Sequence, residues 1–220
     1  REDLNTRAPR AMAILKPLKL VIENYPEGQT ETFEVANHPD NADMGTRQLP
    51  FGREIWIERD DFQEVPEKKF FRLAPGREVR LRNAYLITCT SVVKDADGTI
   101  TELRCTYDPA TRGGDAPDGR KVKGTLHWVS VAHAIDAEVR LYDRLFTVET
   151  PGNGDADVLT QINPTALQVL DHCKVEPSLA APAAGTRYQF ERTGYFCADP
   201  DSAPGHPVFN RTVTLKDGYR

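Results

Sequence analysis

Residues Lys68 to Tyr85 read KKFFRLAPGREVRLRNAY. Lys68, Lys69, Arg72, Arg77, Arg80 and Arg82 share this stretch with a single acid, Glu78. The chain as a whole holds 28 basic and 33 acidic residues, a formal net charge of -5, so its cations are gathered rather than spread. Around Arg80 the pattern alternates, with Val79 and Leu81 on one face and Arg80 and Arg82 on the other. Period two predicts a strand that buries one side and presents guanidiniums on the other. Phe70, Phe71 and Tyr85 sit among the cations. Forked arginine donors suit phosphates and base edges, and aromatic faces suit unstacked bases, so the stretch points to RNA. The competing reading is a solvated basic face with no ligand.

The same period recurs on either side. Residues 53–58, 78–93 and 100–107 alternate, and the last two are split by Lys94-Asp95-Ala96-Asp97-Gly98, whose Asp-Gly pair predicts a hairpin. Further strands are expected over 122–131, 138–148, 167–175, 187–197 and 208–215, with Thr193-Gly194 turning the pair around Gln189 and Phe196. Helical signal is thin. Residues 4–15 are rich in Ala and Arg, but Pro9 interrupts them, so a helical tail ended by Pro17 is the most they predict. Asn163-Pro164-Thr165-Ala166-Leu167 offers one short turn. Many short strands punctuated by 16 prolines and 15 glycines predict an all-β fold of barrels or sandwiches. The loop 108–119 joins two strands, and the loop 150–157 is a candidate separator between two barrels.

A chain of 220 residues holds one large or two small domains. No run has the length of a membrane span, and no signal peptide is visible. A pI near 5.6 speaks against a general polyanion binder, but an acidic body with one basic face steers RNA to that face. Cys89, Cys105, Cys173 and Cys197 form no CxxC pair and read as free thiols of a cytosolic protein. The start at Arg1, within REDLNTRAPRAMAI, reads as the middle of a longer chain.

Catalytic signals are weak. His127, His133 and Asp136 lack the spacings of zinc sites, so His127 reads as structural. His172 and Cys173 are neighbours on a strand and point to opposite faces, so they cannot act as a thiol and its base. No GxxxxGK[ST] or GxGxxG cradle occurs. Asp40, Asp43, Asp60 and Asp61 read as solvated loop acids. With no nucleophile, base and oxyanion site together, the chain reads as a binding module.

Longer runs carry more. LNTRAPRAMAILKPLKLVIENYPEG, NHPDNADMGTRQLPFGREIWIERDDF, FFRLAPGREVRLRNAY, GRKVKGTLHWVSVAHAIDAEVRLYDRLF, INPTAL, YQFERTGYFC and VFNRTV occur in this order. Together they resemble the C-terminal half of the glutaminyl-tRNA synthetase family, class I and bacterial in type. The resemblance covers essentially the whole chain. No HIGH-like or KMSKS-like catalytic signature occurs, so the chain looks like the isolated anticodon-binding region, inactive by itself. The resemblance implies two β-barrels: a tail over 1–16, a proximal barrel over 17–135 completed by a C-terminal strand over 207–217, and a distal barrel over 136–206. It implies the anticodon loop of glutamine tRNA as partner, splayed across both barrels with each base in its own pocket, as unpaired loop bases are commonly read. A cytoplasmic monomer without DNA or membrane partners is expected. No cofactor is expected in this region; ATP and magnesium belong to the catalytic half of the parent ligase.

Site residues come from the same resemblance. Arg72 falls where the family reads the last anticodon base, a G, whose O6 and N7 suit a guanidinium. Arg80 falls at the pocket for the first, variable base, and Arg82 shares its face. Arg10, Gln189 and Arg192 fall around the middle base, a U, where the amide of Gln189 can both donate and accept. Asn5 matches a residue that contacts nucleotides beside the anticodon. Phe71 stands where some members have Lys, and Asp40 where some have Asn. Two alternatives remain: the equivalent module of a glutamyl-type synthetase, which VIENY and LNTRAPRAMA disfavour, and a free-standing ribosome-associated RNA-binding barrel.

Overall fold

The alternating runs form strands, and those strands join into two seven-stranded sheets and one hairpin. The structure, a computed structural model, describes residues 1–154 and 157–216. A short helix α1 (Glu2–Arg7) is followed by β1 (Arg10–Ala11), β2 (Ala13–Ile14), β3 (Pro17–Ile22), β4 (Thr30–Ala36), β5 (Thr46–Gly52) and β6 (Glu54–Glu58). Then come β7 (Glu78–Leu81), β8 (Leu86–Lys94), β9 (Ile100–Asp108), β10 (Thr125–Leu126) and β11 (Trp128–Ser130). The last five are β12 (Ile135–Tyr142), β13 (Leu167–Val175), β14 (Arg187–Phe190), β15 (Gly194–Ala198) and β16 (Val208–Thr214).

The first sheet runs β10-β7-β8-β9-β3-β6-β11, and its two edges are separated in the chain by one residue, His127. The second runs β1-β14-β15-β16-β12-β13-β2, and its edges are separated by Met12. A sheet whose two edges are a single residue apart must curl until they meet, which leaves few unpaired backbone groups. Both sheets are therefore barrels. The first is filled by Leu18, Leu20, Ile55, Ile57, Val79, Leu81 and Trp128, with Phe33 and Phe51 of the β4–β5 hairpin packed into it. Phe51 meets Trp128 edge to face at 4.9 Å. The second core is smaller, built on Val139, Val175, Phe190, Phe196 and Phe209, with Phe190 and Phe196 stacked at 4.2 Å.

Residues 10–14 are the wall between the two cores. Ala11 and Ala13 point into the second, Met12 and Ile14 into the first. The expected tail over 1–16 is thus corrected: it supplies both edges of the second barrel. The helix stops at Arg7 because a residue before proline is pushed out of the α region, and Ala8 is extended at φ -82, ψ 123. The C-terminal strand is corrected too. β16 lies between β15 and β12 of the second barrel and does not complete the first, because Val208 and Phe209 bury in the second sheet. Its expected end at residue 217 lies outside the described residues. The loop 150–157, of which 155 and 156 are likewise outside them, does not separate the barrels. It belongs to the excursion between β12 and β13, which pair with each other. The chain crosses between barrels at 131–134 instead.

Smaller differences have local causes. The run 78–93 breaks at 82–85, where Asn83 takes φ 61, and the β14–β15 turn is centred on Arg192 at φ 63, with Gly194 already in β15. The strand expected over 138–148 is β12, which begins at Ile135 and ends at Tyr142. β3, β4 and β5 were not legible, since prolines and mixed polarity hide their period.

One buried ion pair fastens the barrels together. Glu176, just after β13, accepts the Met12 N–H at 2.7 Å and donates its own N–H to the Met12 carbonyl at 3.1 Å. Its carboxylate also takes Arg47 Nε of β5 at 2.5 Å and Arg47 Nη2 at 3.3 Å. Ser178 donates to it at 2.5 Å. Glu176 is 1% exposed. Breaking one partner of such a pair strands a buried charge. Glu176→Gln, which keeps the shape and removes the charge, is expected to cost about 3–5 kcal/mol in urea unfolding, with the denaturant slope unchanged.

Candidate nucleic-acid interface

Beyond β6 the chain makes a 3-10 turn, Arg59–Asp61, which turns the Asp61 side chain inward. The expectation of a solvated acid is met by Asp60, whose side chain is 68% exposed, and is overturned at Asp61, which is 2% exposed. Asp61 is buried because two arginines converge on it. Arg192 of the second barrel donates from Nη1 to Oδ2 at 2.5 Å and from Nη2 to Oδ1 at 2.9 Å. Arg72 of the first barrel brings Nη1 within 3.0 Å of Oδ1 and donates to the Asp60 carbonyl at 3.2 Å. Two residues 120 positions apart in sequence therefore meet in one cleft of about 260 Å³, lined also by Lys16, His127 and Thr193.

Each arginine is held by its backbone as well. Leu73 N–H bonds the Asp61 carbonyl at 3.0 Å, and Gln63 N–H bonds the Leu73 carbonyl at 3.1 Å, so Arg72 is pinned beside the turn. Arg77 reaches back to the carbonyls of Phe70 and Arg72. Gly124 lies so close behind this segment that a Cβ would collide with the Phe71 carbonyl oxygen. Arg192 sits in the left-handed region, which is unfavourable for a residue with a Cβ. The two-pronged bond to Asp61 offsets that cost. His127 adds a third contact. Its Nε2 lies 3.0 Å from the Ala13 carbonyl, which can only accept, so Nε2 carries the hydrogen and Nδ1 accepts from Arg192 Nη1 at 3.2 Å.

Arg82 is on the same side, 3.1 Å from Glu191, the neighbour of Arg192. The angle is poor: among the described residues, the buried Nε–H of Arg82 has no hydrogen-bond acceptor.

A second group forms where β1 pairs with β14 in parallel, placing Arg10 opposite Gln189. Gln189 Nε2 donates to the Tyr195 hydroxyl at 2.7 Å, and that hydroxyl donates to Asn5 Oδ1 at 3.2 Å. Arg10 Nη2 donates to the same Asn5 oxygen at 2.8 Å, while Nη1 donates to the Ala8 carbonyl at 2.9 Å. Asn5, Arg10 and Gln189 are thus one network around Tyr195, a residue that the sequence reading missed. The signal was there: in a hairpin turned at 191–193, position 195 must face position 189. Arg10 is buried and spends both terminal nitrogens on Asn5 and Ala8, so it positions Asn5.

Arg80 stands apart. It projects from β7 under the loop 108–119, donating to the Gly114 carbonyl and, at 2.8 Å, to Asp115. Arg120 clasps that loop through Glu78, Asp108 and Asp118. The Arg120 side chain, with the Ala110 N–H, holds Asp108 below the usual carboxylate range; the Arg120 N–H and side chain do the same for Asp118. Phe71 is 53% exposed with Lys123 5.1 Å above its ring, so it offers an open aromatic face rather than a packed one. Asp40 is exposed, and its N–H bonds His38 Nδ1.

Two family models match the chain, over residues 8–108 and 125–199, both described as anticodon-binding domains of class I tRNA synthetases (E and Q). The chain belongs to that family. Among curated proteins it is 62% identical over 219 residues to a Glutamine–tRNA ligase of Nitrobacter winogradskyi. It is 56% identical to one of Pseudomonas syringae pv. tomato and 53% identical to one of Clostridium kluyveri. Each match covers the whole of this chain but only 39–40% of the relative's length. The first model spans the first barrel through β9; the second runs from β10 to the end of β15.

In this anticodon-binding pair the placement of Arg72 depends on Gly124. Gly124→Ala is expected to push the Phe71–Arg72 backbone outward and cost about 1–3 kcal/mol, the usual range for overpacking. Urea unfolding measures the cost, and a crystal structure of the variant measures the shift.

Proposed function

We propose that this chain is the anticodon-binding part of a glutamine–tRNA ligase and that it reads the anticodon loop of glutamine tRNA. The observation that carries the proposal is the meeting of Arg72 and Arg192, one from each barrel, in a single cleft. Both spend Nη1 on the protein. Among the described residues Nε of each has no partner, and neither does Nη2 of Arg72. An arginine pinned at one edge presents the other as a fork, which fits the two acceptors of guanine. In this reading Arg72 takes the last base, a G. Arg192 and Gln189 take the middle U, with Arg10 and Asn5 behind them. Arg80 takes the first base, while Arg82 lies beside the Arg192 turn, against Glu191.

The parent ligase joins glutamine to its tRNA at the expense of ATP with magnesium. In this reading both groups belong to the catalytic half of the parent ligase. The sequence has no Gly-rich cradle, and among the described residues no cluster of three His, Cys, Asp or Glu is placed to hold a metal. The work assigned to this chain is binding and discrimination. We place the protein in the cytoplasm as a monomer, with neither DNA nor a membrane as partner; no helix among the described residues is long and apolar enough to cross one. The names of the relatives favour glutamine over the glutamyl-type alternative.

Titration of RNA stem-loops tests this. Arg72→Ala is expected to cost about 1–3 kcal/mol when the last anticodon base is G and much less when it is not. Arg72→Lys does not rescue, because an ammonium lacks the planar fork. Lys68→Ala weakens all stem-loops alike, as a phosphate contact would. Equal loss for every base at the last position with Arg72→Ala would reduce Arg72 to a backbone contact.

A further inference from the structure

Asp61 has a place in this site that its sequence context does not suggest. It is the deepest acid of the cleft, and one carboxylate serves two arginines assigned to adjacent bases. Its Oδ1 is shared by Arg72 Nη1 and Arg192 Nη2, while Oδ2 takes Arg192 Nη1. Two guanidiniums drawn to one point would repel each other without that charge between them. With it, they are turned so that their open edges face away from the carboxylate.

We infer that Asp61 is a positioning residue shared by two base-reading pockets, so that recognition of the middle and the last anticodon base depends on one buried carboxylate. The inference rests on the function proposed above. Asp61 does not touch RNA. It sets the direction of the Arg72 fork and, with His127 Nδ1, that of the Arg192 fork. The other reader, Arg80, has a separate acid, Asp115, whose side chain is 96% exposed. Asp115 can move away when RNA arrives; Asp61 is enclosed and stays. The first base is therefore read independently, and the other two are read as a pair.

The test uses this chain and four RNA stem-loops, whose loop triplets are C-U-G, C-U-A, C-A-G and C-A-A, titrated by fluorescence anisotropy at low salt. The unaltered protein is expected to prefer C-U-G over either single change by about tenfold or more, the usual cost of one mismatch. Asp61→Asn is expected to lower both preferences together, by about fivefold or more each, with C-A-A affinity changed less than about twofold. Arg72→Ala lowers the last-base preference alone. A merely structural Asp61 would lower all four affinities equally and leave the ratios intact. Asp61→Glu keeps the charge but displaces it by one methylene, so it serves if the Asn variant melts below the assay temperature; both preferences are again expected to fall together. A loss confined to one base, or retention of both preferences in a folded variant, overturns the inference and leaves the proposed function standing. Absence of any preference in the unaltered protein overturns both.

Discussion

Glu176 is the constraint on which the rest of the molecule depends. Its carboxylate and its N–H together satisfy both backbone groups of Met12, the residue at which the second barrel closes. The same carboxylate reaches Arg47 on the hairpin that fills the first barrel. Glu58 does related work nearby, accepting the N–H groups of Leu15 and Lys16 at 2.6 and 3.0 Å. A buried charge is a poor source of stability by itself, but it tolerates little displacement, because its partners have no second choice. The two barrels are therefore fixed in one arrangement, and a cleft that draws residues from both keeps its shape before any ligand arrives.

That fixed seam explains how an acidic protein carries a basic reading surface. Four of the arginines at the proposed interface lie against an acid: Arg72 and Arg192 share Asp61, Arg82 lies by Glu191 and Arg80 by Asp115. Burial grades these pairs. Asp61 is enclosed and orients its arginines, whereas Asp115 is solvated and holds Arg80 weakly, as exposed ion pairs do. These partners are three of the 33 acids behind the net charge of -5. Of the basic stretch found first in the sequence, Arg72, Arg80 and Arg82 are held against acids in the folded chain, and Arg77 against backbone carbonyls.

The sequence made the β architecture legible wherever one face of a strand is buried and the other wet. The period over 53–58 and around Arg80 emerges from that alternation, the structure carries those runs as β6 and β7, and the Asp-Gly turn joins β8 to β9. Residues 10–14 defeated the same reasoning. Both faces of residues 11–14 are buried, in two different cores, so small and larger apolar residues alternate with nothing polar to mark a period. Arg192 rests on the resemblance alone, and Arg72 on the basic stretch together with the resemblance. The acid that joins them reads as solvated in the sequence, because its burial is made by side chains brought from distant parts of the chain. Tyr195 was missed for a related reason: its role comes from hairpin register, and the turn was placed at Thr193-Gly194 when the left-handed residue is Arg192.

The wall at residues 10–14 also imposes an order on assembly. Ala11 and Ala13 precede β14 and β13, the strands they pair with, by more than 150 residues. The first barrel needs nothing beyond Ser130 to close, and it captures Met12 and Ile14 in its own core. Once it has closed, residues 10–14 are held extended, with their other face waiting. The first barrel thereby acts as a template, offering the late strands two edges in register before they are made. Such distant pairings are slow to form from a free chain, since loop closure must come before any contact rewards it. A first barrel that closes beforehand would shorten that search, and the second barrel, deprived of the first, would be an open sheet with both edges bare.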